Sequence, residues 1–213
     1  MKPAAPRPAE PRKLPLRTPG ALVLGLILVV MIGLIEIGVL EYTYARLGIG
    51  HRFFGGLLLA SLLGSVVNLP ITALASTAPG ARPTIVAVNL GGAVIPALLA
   101  LYLLIVHRLY VDGAVAVAVV AGLSHALSRP VKGVGIAVPI FIPPIAAAIT
   151  ALVLAPDAAP ALAYAAGSLG TLIGADLTNL GRLRELEAPL VSIGGAGTFD
   201  GVFLTGIFAV LLA

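Results

Sequence analysis

Residues 21–40 read ALVLGLILVVMIGLIEIGVL, an apolar run whose one charged residue is Glu36. About 20 apolar residues in a helix span some 30 Å, the thickness of a bilayer's hydrocarbon core. The run is too long for the ~7–15-residue core of a signal peptide, and no small-residue cleavage pattern follows it. It reads as a retained membrane-spanning helix. The remaining chain has the same character: of 213 residues, 59% are hydrophobic and 10% charged, with a mean hydropathy of +1.10. Soluble domains run at ~45–50% apolar and ~25% charged. Such an excess facing water would drive aggregation, whereas lipid accommodates it.

Before this run, residues 1–19 carry Lys2, Arg7, Arg12, Lys13 and Arg17 among six prolines, a disordered basic tail by composition. After it, apolar segments at roughly 53–75, 83–106, 110–127, 134–155, 160–180 and 189–212 predict six more spans. The expected fold is all-α: a polytopic transmembrane bundle of about seven spans over 20–213, some broken by Pro or Gly. The connections are too short to hold a soluble domain. With the tail in the cytoplasm and the spans alternating, ten basic residues fall on the cytoplasmic side and three outside. That bias is the positive-inside signature, and it predicts a multi-pass protein of the cytoplasmic (inner) membrane. Span 110–127, short and rich in Ala and Val, is the weakest; a re-entrant segment there would invert all that follows.

Composition also narrows the chemistry. With no cysteine, disulfides, thiolate metal sites and cysteine nucleophiles are excluded. The net charge of +4 sits in short clusters between apolar runs, so no nucleic-acid partner is expected. Three scattered histidines offer no metal-ligand spacing. No phosphate-binding loop, nucleophile elbow or dinucleotide fingerprint occurs, and no cofactor is predicted. The expected partners are the bilayer and a small solute, proton or cation; oligomeric state is not encoded legibly.

Pro70, Pro96, Pro139, Pro143, Pro144 and the run Gly194-Gly195-Ala196-Gly197 fall inside predicted spans. Proline removes a backbone donor, and in lipid the freed carbonyls need protein or water partners, so a broken helix over 192–201 is expected to line a cavity. There is also an internal echo: Leu63-Gly64-Ser65-Val66-Val67-Asn68 resembles Leu169-Gly170-Thr171-Leu172-Ile173, and Gly91-Gly92-Ala93 resembles Gly194-Gly195-Ala196. This would match spans two and three to spans six and seven in parallel, a common transporter design.

Three carboxylates lie within predicted spans: Glu36, Asp176 and Asp200. A mid-span acid costs about 2.5–3.5 kcal/mol on insertion scales, and residues that costly are kept for pairing or function. Asp200 would begin a short intramembrane helix after the glycine run. Asp176 precedes the helix stop Gly181, within reach of Arg182 or Arg129 as a structural pair. In regular helices Asp200 would sit about 16 Å from the intervening loop and Asp176 about 7 Å, an offset that only unwinding would change. Asn68 and Asn89 add neutral hydrogen-bonding groups as further binding candidates, and Asn179 reads as an interhelical bond-former. His125 is a structural residue or a proton partner for Asp176.

The stretches Leu169-Gly170-Thr171-Leu172-Ile173-Gly174-Ala175-Asp176-Leu177-Thr178-Asn179-Leu180 and Val191–Gly206, with Val88–Pro96 and Gly133–Pro139, resemble a family of bacterial and archaeal membrane proteins catalogued as domain of unknown function 1614. The resemblance implies a membrane architecture and draws attention to Asp176 and Asp200; it supplies no reaction. A looser resemblance is to intramembrane aspartyl proteases, whose second motif is Gly-x-Gly-Asp; Gly197-Thr198-Phe199-Asp200 departs from it, and Asp176 follows Ala175 rather than Tyr. The leading expectation is a proton- or cation-coupled small-solute transporter with Asp200, Asp176, Glu36, Asn89 and Asn68 as binding candidates. The alternatives are a non-catalytic membrane scaffold or assembly factor and an intramembrane aspartyl protease with Asp176 and Asp200 as its catalytic pair.

Overall fold

The computed structural model describes residues 26–27, 29–30, 33, 38–74, 83–131, 135–186, 190–195 and 201–213. The chain divides into two units, Met1–Ile37 and Gly38–Ala213. In the first, Leu26, Ile27, Val29, Val30 and Gly33 are helical. The predicted tail and Glu36 lie outside the described residues.

The second unit runs α1 (Val39–Arg46), α2 (His51–Gly64), β1 (Asn68–Leu74), β2 (Thr84–Asn89), a wide helical turn (Leu90–Val94), α3 (Ile95–Val106), α4 (Tyr110–Leu127), β3 (Arg129–Val131), β4 (Gly135–Ala137) and α5 (Ile142–Leu154). Then come a tight turn (Pro156–Ala158), α6 (Ala159–Thr171), a wide turn (Leu172–Asp176), a tightly wound stretch (Leu177–Leu186), β5 (Leu190–Ile193) and α7 (Gly201–Leu212). The chain is thus mostly helical, with short strands.

Helix α6 is the axis of the fold. Every residue from Ala161 to Ser168 is buried, and the helix packs against α3, α4, α5 and α7. Its sequence, APALAYAAGSLGT, explains this: Ala, Gly and Ser let neighbouring backbones come close. Gly167 lies beneath the Thr205 backbone of α7, Gly170 against Val120 of α4, and Gly174 against the Ala121 backbone. From the other side, Gly206 of α7 accommodates Tyr164 and Ser168. The outward faces remain apolar: Leu98, Ile105, Val111, Val119, Ile149 and Val153 are all exposed. Among the described residues, two helices, Tyr110–Leu127 and Pro156–Leu183, are long and apolar enough to cross a membrane.

At one end of α2, α3 and α7 sits a three-stranded sheet in the order β1-β2-β5. β1 runs antiparallel to β2, with Asn68 opposite Asn89 and an irregularity between Pro70 and Thr72. β5 runs parallel to β2, placing Val86 beside Val191 and Val88 beside Ile193. β3 and β4 form a separate hairpin.

These strands correct the all-helical expectation. Span 110–127 is helix α4 with the predicted limits, and 160–180 is helical throughout. The spans expected over 53–75, 83–106, 134–155 and 189–212 are instead part helix and part strand. The reason is local: Thr84-Ile-Val-Ala-Val-Asn89 and Leu190-Val-Ser-Ile193 are rich in β-branched residues that suit a pleated surface. Some prolines do something other than break helices. Pro143 and Pro144 occupy the first turn of α5, where the missing N–H costs nothing, and Pro70 sits on the edge strand β1 at its irregularity, where strand prolines are tolerated. Pro96 stands where the wide turn Leu90–Val94 passes into α3, a local irregularity within one helical run.

Candidate functional site

Polar side chains in this apolar molecule gather where β1, β2 and β5 meet the helices. Asn89 ends β2 and is fully buried. Its Oδ1 accepts from the Gly92 backbone N–H at 2.8 Å, capping the wide turn that leads into α3. Its Nδ2 donates to the Ser65 carbonyl at 2.8 Å and to Asn68 Oδ1 at 3.1 Å. Asn68 Oδ1 also receives the Ser192 hydroxyl at 2.5 Å. One amide of β1 therefore links β2 and β5, and all of Asn89's side-chain groups are engaged, as burial requires.

Asp176 approaches the same junction from α6. Its Oδ2 accepts from the Gly194 N–H at 3.1 Å. Gly194 has φ +66, the left-handed conformation that favours glycine, and it directly follows β5. A Cβ there would stand 2.6 Å from the Gly92 carbonyl carbon. The two strand–glycine–helix units, β2 into α3 and β5 into α7, therefore touch backbone to backbone. Asn68, Asp176 and Ser192 line one cavity of about 330 Å³ with Gly135, Ile136 and Gly195 at its wall.

The structure thus brings together Asp176, Asn68 and Asn89 of the sequence-derived candidates. Asp200 and Glu36 lie outside the described residues. Gly201, the residue after Asp200, is described, and lies beside Thr171 of α6. Asn179 is buried and donates to the Ser128 hydroxyl and the Ala175 carbonyl, each at 2.9 Å, while Arg182 donates to its Oδ1 at 3.3 Å; this ties the tight stretch to the end of α4. His125 Nδ1 lies 2.8 Å from Thr178 Oγ1. Among the described residues, no group of three or more His, Asp or Glu could hold a metal ion.

Sequence reasoning missed Ser192. Its signal was faint: a hydroxyl in an alternating Val-Ser-Ile stretch just before two glycines. The regular-helix estimate for the offset between Asp176 and Asp200 also loses its basis, because 190–193 is a strand and Gly194 reaches Asp176 directly.

Residues 30–212 match the family described as Protein of unknown function (DUF1614). The chain belongs to this DUF1614 family. Every site residue described above falls within the matched region. No curated protein and no solved structure matches the chain.

Proposed function

We propose that this DUF1614 protein is a multi-pass protein of the cytoplasmic membrane, amino terminus inside, that moves a small solute coupled to a proton or cation through the cavity around Asp176. The membrane reading is supported by the apolar outer faces of α3, α4 and α5, which present large aliphatic side chains where a soluble bundle would present charge. The half-helical segments fit it too. Irregular backbone at membrane depth is tolerated where it is buried in protein or lines a cavity.

The observation that carries the transport reading is a polar cavity that holds a carboxylate and is walled by β5 and Gly195, with the parallel strand–glycine–helix unit of β2 packed directly against that wall at Gly92 and Gly194. Interrupted segments meeting at a polar site in the apolar bundle are the recurring architecture of secondary transporters, and an intramembrane acid is the usual proton or cation handle. Asp176 holds or releases the ion, and Asn68 and Ser192 orient the solute. The test is flux in proteoliposomes, with a pH-sensitive dye inside and candidate solutes outside. Proton movement in the wild type and its loss in Asp176→Asn is the expected outcome. Equal flux in the two would overturn the reading.

A second reading, an intramembrane aspartyl hydrolase, is favoured by one specific contact pair. Gly194 binds Asp176 and Gly201 lies beside Thr171, so both described flanks of the segment carrying Asp200 rest on the element carrying Asp176. Two carboxyls sharing a proton can activate water. Incubation with a membrane-embedded reporter peptide decides it: cleavage lost in both Asp176→Asn and Asp200→Asn supports hydrolysis, and an intact peptide with wild-type protein excludes it for that substrate.

A further inference from the structure

The polar cavity has an apolar neighbour. A second cavity, of about 460 Å³, is lined by Val86 and Val88 of β2, Ala97 and Leu98 of α3, and Leu172 and Leu180 beyond α6. Its accessible lining is apolar throughout. Ile193 belongs to the walls of both cavities. The two spaces are bounded by the same pair of elements: β5, and the stretch running on from α6. Along that stretch Leu172, Leu177 and Leu180 face the apolar space, whereas Asp176 and Leu183 face the polar one. The two spaces meet at Ile193, beside the Asp176–Gly194 hydrogen bond.

Both volumes fall within the range of about 300–1,000 Å³ common to small-molecule pockets. A wholly polar solute would use only the first space and a hydrocarbon only the second. We infer that the ligand is a single-chain amphiphile, with its chain in the apolar cavity and a hydrogen-bond-donating head, hydroxyl or ammonium, at Asp176, Asn68 and Ser192. The inference rests on the reading of the polar cavity as the solute site and names its substrate class. The head chemistry follows from the lining: the Asp176 carboxylate and the Ser192 oxygen accept, while the Asn68 oxygen is already taken by Asn89 and Ser192, which leaves its amide N–H groups to donate to the oxygen of a hydroxyl head. A phosphodiester head would place an anion beside Asp176, and like charges in a poorly hydrated space repel. An ordinary two-chain phospholipid is therefore the wrong occupant.

The chain contains no tryptophan, so a single introduced one reports occupancy. Leu180→Trp places the fluorophore at the apolar cavity, and Leu172→Trp provides a second position should the first disturb folding. Val153→Trp, on an outer face that is 74% exposed, reports general lipid contact. In nanodiscs of unbrominated phosphatidylcholine, the probes are chain-brominated dodecylamine, chain-brominated monolauroylglycerol, brominated dodecane and brominated phosphatidylcholine. The expected result is saturable quenching at the cavity positions by the amine or the monoacylglycerol, half-complete at a concentration about tenfold below that for Val153→Trp. Adding Asp176→Asn and Ser192→Ala should raise that concentration about tenfold, the equivalent of one charge-assisted bond. Identical curves at cavity and outer-face positions would overturn the inference. So would quenching by the alkane or the phospholipid that equals the amphiphiles, or no response to the two substitutions. Quenching is read without flux: saturable binding in a protein that moves nothing keeps this inference and removes the transport reading, while polar-solute flux without quenching does the reverse.

Discussion

Replacing Gly194 by alanine should be among the most damaging single-methyl changes in this protein. The residue has φ +66, and holding an L-residue in the left-handed region costs about 1–2 kcal/mol. The new Cβ would stand 2.6 Å from the Gly92 carbonyl carbon, 2.7 Å from the Ala93 nitrogen and 2.8 Å from the Ala93 Cβ. Two of these atoms are backbone, and the third is fixed directly to it, so none can rotate away. Relieving overpacking of this kind by backbone movement costs about 1–3 kcal/mol. The expected loss is therefore about 2–5 kcal/mol, against a total of about 5–15 kcal/mol for a typical domain. Reversible unfolding in mixed micelles, followed by helical circular dichroism, measures it. Gly122→Ala is the control: Gly122 is exposed on α4, and its new methyl would meet nothing within 4 Å. Alanine there should gain about 0.5–1 kcal/mol in helix propensity. If the two variants unfold together, the close approach of the strand–glycine–helix units is not what fixes the junction.

Asn89→Ala removes the cap of the turn before α3 and one donor each to the Ser65 carbonyl and Asn68, so a loss of about 1–3 kcal/mol is expected in the same unfolding measurement. Gly174→Val drives a branched side chain into the Ala121 backbone and should push α4 from α6; spin labels on the two helices would record a wider separation, and an unchanged distance would contradict the packing. Asp176→Asn keeps an acceptor for Gly194 and should stay within about 1 kcal/mol of wild type while flux disappears. Arg46→Leu loses the bond to the Val210 carbonyl (3.1 Å) and should lower stability by about 0.5–1.5 kcal/mol, read as a small shift in unfolding midpoint.

How much of the fold was legible in the sequence depended on which signal a residue carried. The helix over Tyr110–Leu127, the weakest of the expected spans for its shortness and Ala/Val content, nonetheless stands with the limits that hydropathy gave it. Hydropathy could not separate strand from helix in Thr84–Asn89 or Asn68–Leu74, since apolar content is the same in either; the β-branched run was the signal that mattered. Pro96 does mark an irregularity within a helical run, whereas Pro143 and Pro144 were read as mid-span breaks rather than a helix start because the helix limits were unknown. The parallel resemblance of Gly91-Gly92-Ala93 to Gly194-Gly195-Ala196 has a physical counterpart in the side-by-side β2 and β5, although strand pairing is offset from the sequence alignment by two residues. What no local pattern contained was the long-range link from Asn68 to Ser192. It requires strands far apart in the chain to become neighbours, and its only trace in sequence is two ordinary polar residues.

The pairing of β2 with β5 also fixes a timetable. Ile85 and its partner Leu190 are separated by roughly a hundred residues, and contacts of such long range are costly to close early. A chain emerging from the ribosome has laid down α2 through α6 before β5 exists, so the edge on which Ser192 and Gly194 will settle must wait, half made, until β5 follows. Most of the helical scaffold comes first, and the polar cavity is closed only when β5 joins it.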